Sequence, residues 1–285
     1  MKDKFEFGPW LVDFTPEDGA RLDRLSYNHY DLITTSPESF RKPSSDYGEY
    51  ENRPVYGYDD CFPSVETCSF PGLQWKIPDH GEVCWLNWDF DKDGNKLAFF
   101  TKSKALPVHF KREMSFTKTG ITWNFEVYNA GREKLPFQHV MHPLMKLTEI
   151  AKVHFPGFRE AYNKSRDENL KLGTPADIQN FLFKQPRGTA NMLFLKSIED
   201  GEMSWTYKNG LLLKAIFPKE HFPTIGIWWN NIGYPDEIGI RRDECAFEPI
   251  PGFTSNLSKV YKEGNYLSVS PRARFSWQII WELST

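Results

Sequence analysis

The hydrophobic positions of this chain recur at every second residue. From 121 to 128, Ile121, Trp123, Phe125 and Val127 fall on one face, and Thr122, Asn124, Glu126 and Tyr128 on the other. A period of two sends alternate side chains to opposite faces, so the segment reads as a half-buried β-strand. Phe110, Arg112, Met114 and Phe116 alternate in the same way with Lys111, Glu113, Ser115 and Thr117, and Lys118-Thr119-Gly120 lies between the two runs. The pair predicts a hairpin. Near the C-terminus Phe275, Trp277, Ile279 and Trp281 face away from Arg274, Ser276, Gln278 and Glu282, which predicts a last strand.

Helical patterns are few. The best is Thr174-Pro175-Ala176-Asp177 leading into 178–183, where Thr can cap and Pro can occupy the first turn. The 20 prolines and 19 glycines fall between strand candidates, as expected when many strands are joined by turns. The polar stretch 155–176 reads as a long surface loop. Hairpin patterns continue on both sides of it without a shift in composition. The reading is therefore all-β: residues 1–285 form a single domain built as a large antiparallel β-supersandwich.

Composition narrows the function classes. Hydrophobic residues at 40% and charged residues at 26% match a globular chain. A net charge of -3 with scattered Lys and Arg leaves no basic footprint for nucleic acid or an anionic membrane, and favours a neutral small-molecule ligand. Aromatics reach 16%, including 10 Trp; such rings fill β-cores, and they also offer flat surfaces to the C–H face of a sugar. Cys61, Cys68, Cys84 and Cys245 show no metal-ligand spacing, so no metal or other cofactor is expected. The N-terminal MKDKFEFGPWLVDF lacks the apolar run of a signal peptide, and no later stretch reaches the ~20 apolar residues of a membrane span. A cytoplasmic protein with free thiols is expected, of undetermined oligomeric state.

Three separated segments place an ionisable side chain beside Gly or Pro: Pro78-Asp79-His80-Gly81-Glu82, His139-Val140-Met141-His142-Pro143 and Cys245-Ala246-Phe247-Glu248-Pro249. Between them lie Phe110-Lys111-Arg112, Val127-Tyr128-Asn129 and Leu135-Pro136-Phe137; after them Ser270 to Trp281 ends the chain on a Trp-containing strand. In this order, over residues 55–283, the motifs resemble the galactose mutarotase (aldose 1-epimerase) superfamily. The resemblance implies a glutamate base, Glu248, that takes the proton from the C1 hydroxyl of an aldose. His142 then donates a proton to the ring oxygen and His80 orients the sugar. Those residue types suit the task, because ring opening needs a base and an acid acting together on one small molecule. His139 and His142 lie an odd number of residues apart and so on opposite faces of a strand; the resemblance, through the family's spacing after Leu135-Pro136-Phe137, favours His142.

Members of the family it resembles that act on free galactose or glucose usually carry an Arg upstream of the first His. Here that segment reads Tyr56-Gly57-Tyr58-Asp59-Asp60-Cys61-Phe62-Pro63. Asp59 or Asp60 can accept hydrogen bonds from sugar hydroxyls, or open an Asx turn. Trp228-Trp229-Asn230 supplies a ring beside an amide, with only one of the two tryptophans able to face a ligand. Arg241 and Arg242 can neutralise an acidic or phosphorylated sugar, or sit at a solvated strand end beside Asp243 and Glu244. The alternative to an epimerase is a non-catalytic carbohydrate-binding or regulatory protein of the same fold. A hydrolase or lyase fits the Glu/His set less economically, since hydrolysis ordinarily uses two carboxylates.

Overall fold

The alternation at 108–129 becomes a hairpin in which strand Val108–Phe116 pairs with strand Gly120–Asn129, Phe116 opposite Ile121 and Met114 opposite Trp123. Strand Arg274–Ser284 joins the far side, with Trp281 opposite Ile121 and Trp277 opposite Phe125. This register stacks the apolar faces of three strands into one surface, and Met114, Trp123, Phe125 and Ile279 are removed from water. Full burial of side chains of this size contributes about 1.5–3 kcal/mol each. The three strands form the centre of an eight-stranded antiparallel sheet. This computed structural model describes residues 2–36, 50, 55–235 and 242–285.

Among the described residues two six-stranded sheets and two small two-stranded ones accompany the eight-stranded sheet. One six-stranded sheet contains strands Arg21–Tyr27, Tyr58–Cys61 and Val140–Pro143; the other contains Met145–Lys146, Asp243–Ile250, Thr224–Asn231 and Thr189–Lys196. The chain crosses between them at Leu144, where Pro143 ends one sheet and Met145 enters the next. Strand Val140–Pro143 consequently packs against strand Asp243–Ile250. That seam positions the site described below. One contiguous set of buried apolar side chains runs from Phe5 to Leu283.

Helix Pro175–Phe183 forms where the capping pattern places it: Thr174 accepts from the Asp177 backbone N–H, and the Asp177 side chain answers Thr174. The reading of 155–176 as a surface loop is corrected. Strands Glu160–Asn163 and Glu168–Leu170 make a hairpin at the edge of the second six-stranded sheet, and Phe155, Ala161 and Asn163 are buried. Short edge strands with polar outward faces carry too few apolar positions to show a period. Helix Leu257–Glu263 is also absent from the sequence reading. It is seven residues long, capped by Asn256 and closed by Gly264 in the left-handed region (φ 76°), too short for a helical stripe. Among the described residues no helix is long and apolar enough to cross a membrane, and all four cysteines are free thiols.

Candidate functional site

At the seam between the two six-stranded sheets a cleft of about 540 Å³ opens, bordered by His80, His142, Glu248 and Trp228. The structure thus brings together three side chains that lie 62 to 168 residues apart in the chain. Glu248 sits within strand Asp243–Ile250, opposite Gly226 of the neighbouring strand. A Cβ at Gly226 would stand 2.6 Å from Ile250 Cδ1 and 3.1 Å from Glu248 Oε2, so the glycine leaves the room that the carboxyl occupies. Glu248 is 3% exposed, and among the described residues its carboxyl has no hydrogen bond. Burial pushes its pKa up to about 8 against the smaller opposing influence of Lys164. At pH 7 it therefore holds a proton.

His142, at the centre of strand Val140–Pro143, reaches across the seam so that Nε2 lies 3.7 Å from Glu248 Oε1. Burial first, with the nearby His80 and Arg242 adding to it, holds its pKa down to about 3, so the ring is neutral at pH 7. Glu248 and His142 together carry one proton over most of the accessible pH range. His139 takes the opposite face, as the odd spacing requires. It is fully buried, with Nε2 3.0 Å from Asp60 Oδ1.

His80 enters from a turn. Its φ is +59° and that of Gly81 is +79°, two successive left-handed residues. A Cβ on Gly81 would lie 2.3 Å from the Phe62 carbonyl oxygen, so glycine is required there, whereas His80 bears the strain a side chain incurs in that region. Asp79 Oδ1 lies 3.1 Å from His80 Nδ1. Burial works to raise the Asp79 pKa, yet the His80 contact and backbone N–H donors outweigh it and hold it below the usual range.

The upstream acids do not line the cleft. Asp60, read as a partner for sugar hydroxyls, is fully buried and bound to Arg112 (2.5 Å), His139 and the Tyr58 hydroxyl (2.6 Å). Burial disfavours its charge, but Arg112 and then His139 more than compensate, and its pKa is lowered. Asp59 is 1% exposed and accepts from the Tyr50 hydroxyl, with Arg21 Nε at 3.7 Å. Adjacent strand residues face opposite ways, so this pair sends Asp60 to the interior and Asp59 toward the back of His142, its cross-strand partner. Neither borders the cleft.

Of Trp228-Trp229-Asn230, only Trp228 borders the cleft, its Nε1 donating to Glu244 Oε1 at 3.0 Å. Trp229 turns to the core and meets Phe183. Asn230 shares the face of Trp228, but its side chain is consumed in holding the following turn through Gly233 N, Tyr234 N and Tyr234 O. Arg242 is not a solvated strand end: its side chain is 13% exposed and borders the cleft beside Glu244. Arg241 lies outside the described residues. A second cation, Lys164, stands in the cleft paired with Glu66 at 2.7 Å.

Sequence reasoning missed Tyr50, Glu66, Lys164 and Glu244. Tyr50 is the most connected of them: its ring stacks on His80 (centroids 3.7 Å apart, 20° between planes) and its N–H donates to Asp79 Oδ2. It sits in the polar run Ser45-Asp46-Tyr47-Gly48-Glu49-Tyr50, where no local pattern distinguishes one tyrosine from another. Lys164 was hidden in the segment read as a loop. Among the described residues no group of three or more His, Cys, Asp or Glu is arranged to hold a metal.

No protein-family model matches this chain, and no curated protein matches it in sequence. Solved structures do resemble it. The Slr1438 protein of Synechocystis sp. PCC 6803 superposes with a TM-score of 0.78 at 15% identity, over 100% of this chain and 96% of that one. A candidate aldose 1-epimerase of Escherichia coli K12 gives 0.75 at 14% identity, over 100% and 99%. A galactose mutarotase related enzyme of Lactobacillus acidophilus gives 0.70 at 15% identity, over 100% and 98%. With near-complete coverage in both directions and the sheet architecture described above, the chain has the galactose mutarotase-like fold.

Proposed function

We propose that the cleft binds an aldose and interconverts its anomers by acid–base ring opening, with Glu248 and His142 as the proton-transferring pair and His80 as an orienting group. The observation that carries this reading is the buried carboxyl–imidazole pair at 3.7 Å facing an open cleft, where burial raises the pKa of the carboxyl and lowers that of the imidazole. The E. coli structure described as a candidate aldose 1-epimerase supports it by shared fold.

In the working tautomer the proton rests on His142 and Glu248 is a carboxylate. That form differs from the resting one only in where the single proton sits. Glu248 takes the proton of the C1 hydroxyl and the freed electron pair forms the C1=O bond. The C1–O5 bond breaks, and its electrons receive the proton from His142. Rotation about C1–C2 turns the other face of the aldehyde toward O5. O5 then attacks C1, re-forming the C1–O5 bond and returning its proton to His142, while the C=O electron pair moves to the carbonyl oxygen, which recovers a proton from Glu248. Both residues end as they began, and no covalent intermediate forms. Trp228 supplies an apolar ring for the sugar's C–H face.

The test is Glu248→Gln, which keeps shape and hydrogen bonding but cannot accept the proton. Anomer exchange, followed by polarimetry or NMR on a panel of aldoses, is expected to fall by about 10² or more while calorimetric binding changes little. A wild type that binds sugars without accelerating exchange would instead identify a binding protein of this fold. Full activity in Glu248→Gln would place the base elsewhere.

A further inference from the structure

We infer that Tyr50 is a positioning residue that fixes the tautomer of His142 and links it to Asp59, forming a one-directional hydrogen-bond relay behind the proton-transferring pair. This inference deepens the function proposed above and rests on it for its catalytic consequence.

Tyr50 is 1% exposed and touches both cleft histidines. Its ring stacks on His80 and meets His142 edge-on, with centroids 5.7 Å apart. Its hydroxyl donates to Asp59 Oδ2 and lies 3.5 Å from His142 Nδ1. Its backbone N–H reaches Asp79, the carboxylate that holds His80. One residue thus contacts both histidines and the carboxylate behind each.

The direction of the relay follows from the donor inventory. A carboxylate only accepts, so the Tyr50 O–H donates to Asp59 and has no second hydrogen to give. Toward His142 the phenol oxygen can then only accept, which requires the hydrogen of the neutral imidazole on Nδ1. Nε2 is left with its lone pair, pointing at Glu248. The order is Glu248 O–H toward Nε2, Nδ1–H toward Tyr50 O, and Tyr50 O–H toward Asp59. When His142 takes the proton of Glu248, the Asp59 negative charge at the far end of the relay favours the imidazolium. This accounts for the burial of Asp59 away from the sugar: it serves the histidine, through Tyr50. In the other neutral tautomer, with the hydrogen on Nε2 instead of Nδ1, the ring would face the Glu248 proton donor with another donor and prevent the transfer.

The experiment is nitrogen-15 NMR of the histidine rings in the whole protein, with and without Tyr50→Phe. The substitution keeps the ring stacked on His80 and deletes only the hydroxyl. In the wild type His142 is expected as the Nδ1–H tautomer, and Tyr50→Phe is expected to move it toward a mixture with Nε2–H. A wild type in the Nε2–H form overturns the relay whether or not the variant folds, and so does an unchanged tautomer in a folded variant. In the kinetic arm, Tyr50→Phe is expected to lower kcat by about 10- to 100-fold with little change in KM, the scale on which partners that orient a histidine matter. An unaltered kcat overturns the inference. A wild type without anomer exchange defeats the proposed function instead, and the tautomer readout still decides the relay.

Discussion

Glu248→Gln is expected to make the protein more stable as well as inactive, by an amount that grows with pH. In an unfolded chain the carboxyl titrates near 4.5, whereas in the fold burial moves it to about 8. Between those values the native state binds a proton that the unfolded state has lost, so stability falls as pH rises, by about 1.4 kcal/mol per unit. The contribution is fully present below pH 4.5 and is gone once pH has passed about 8. Over the whole window of 3.5 units (8 minus 4.5) the loss is about 5 kcal/mol, and at pH 7 it has reached about 3 kcal/mol. Glutamine does not titrate and escapes the penalty. His142 behaves with the opposite sign, since its depressed pKa costs stability as pH falls from 6.5 toward 3, but that effect is common to both proteins and cancels in their difference. The assay is urea unfolding of wild type and Glu248→Gln at one-unit steps from pH 5 to 9. The stability difference should be small at pH 5, rise by about 1.4 kcal/mol per unit and level off above pH 8. A difference independent of pH would refute the reasoning, because it would mean that the carboxyl is as readily ionised in the cleft as in water. A cleft that keeps a destabilising acid at its centre is consistent with selection for chemistry over stability.

Two further outcomes test the assignment. Because the working and resting tautomers of the Glu248–His142 pair contain the same single proton, kcat/KM is expected to be flat from pH 5 to 7 and to fall about tenfold per unit above about 8, where that proton is lost; a rate that instead rises through pH 8 would mean that the carboxylate acts without an acid partner. Asp60→Ala leaves Arg112 buried and unpaired and should cost about 3–5 kcal/mol in denaturant unfolding; a change below about 1 kcal/mol at pH 7 would show that the Asp60 cluster is solvated or re-paired.

The strands with strong alternation were legible from residue identity. Phe110 to Phe116, Ile121 to Val127 and Phe275 to Trp281 each bury one face, and a one-residue slip of any of them would turn that face to the other side of the sheet. The Thr174 cap is equally local, since its partners lie within three residues. Parity put His142 and His139 on opposite faces of their strand, and the resemblance chose His142. The three motifs that resemble the aldose 1-epimerase pattern contain His80, His142 and Glu248, which border the cleft, and among the three only His80-Gly81 carries a backbone exception, written in the sequence as Gly81.

What the sequence left open depends on packing between distant segments. Asp59 and Asp60 are adjacent and chemically identical, and only the pairing of strand Tyr58–Cys61 with strand Val140–Pro143 decides that one backs His142 while the other joins Arg112. Tyr50 carries no signal of its own; its role arises from two histidines and two carboxylates brought around it by separate elements. Arg242 reads as a solvated charge until the seam encloses it beside Glu244. The sequence by itself determined which side chains are apolar, which strands alternate and which residue types stand at the candidate site, since each of these is a property of neighbours along the chain. Protonation, tautomer and access to the cleft were decided only by the tertiary structure, because burial and the geometry of partners far apart in sequence set the free energy of each charge.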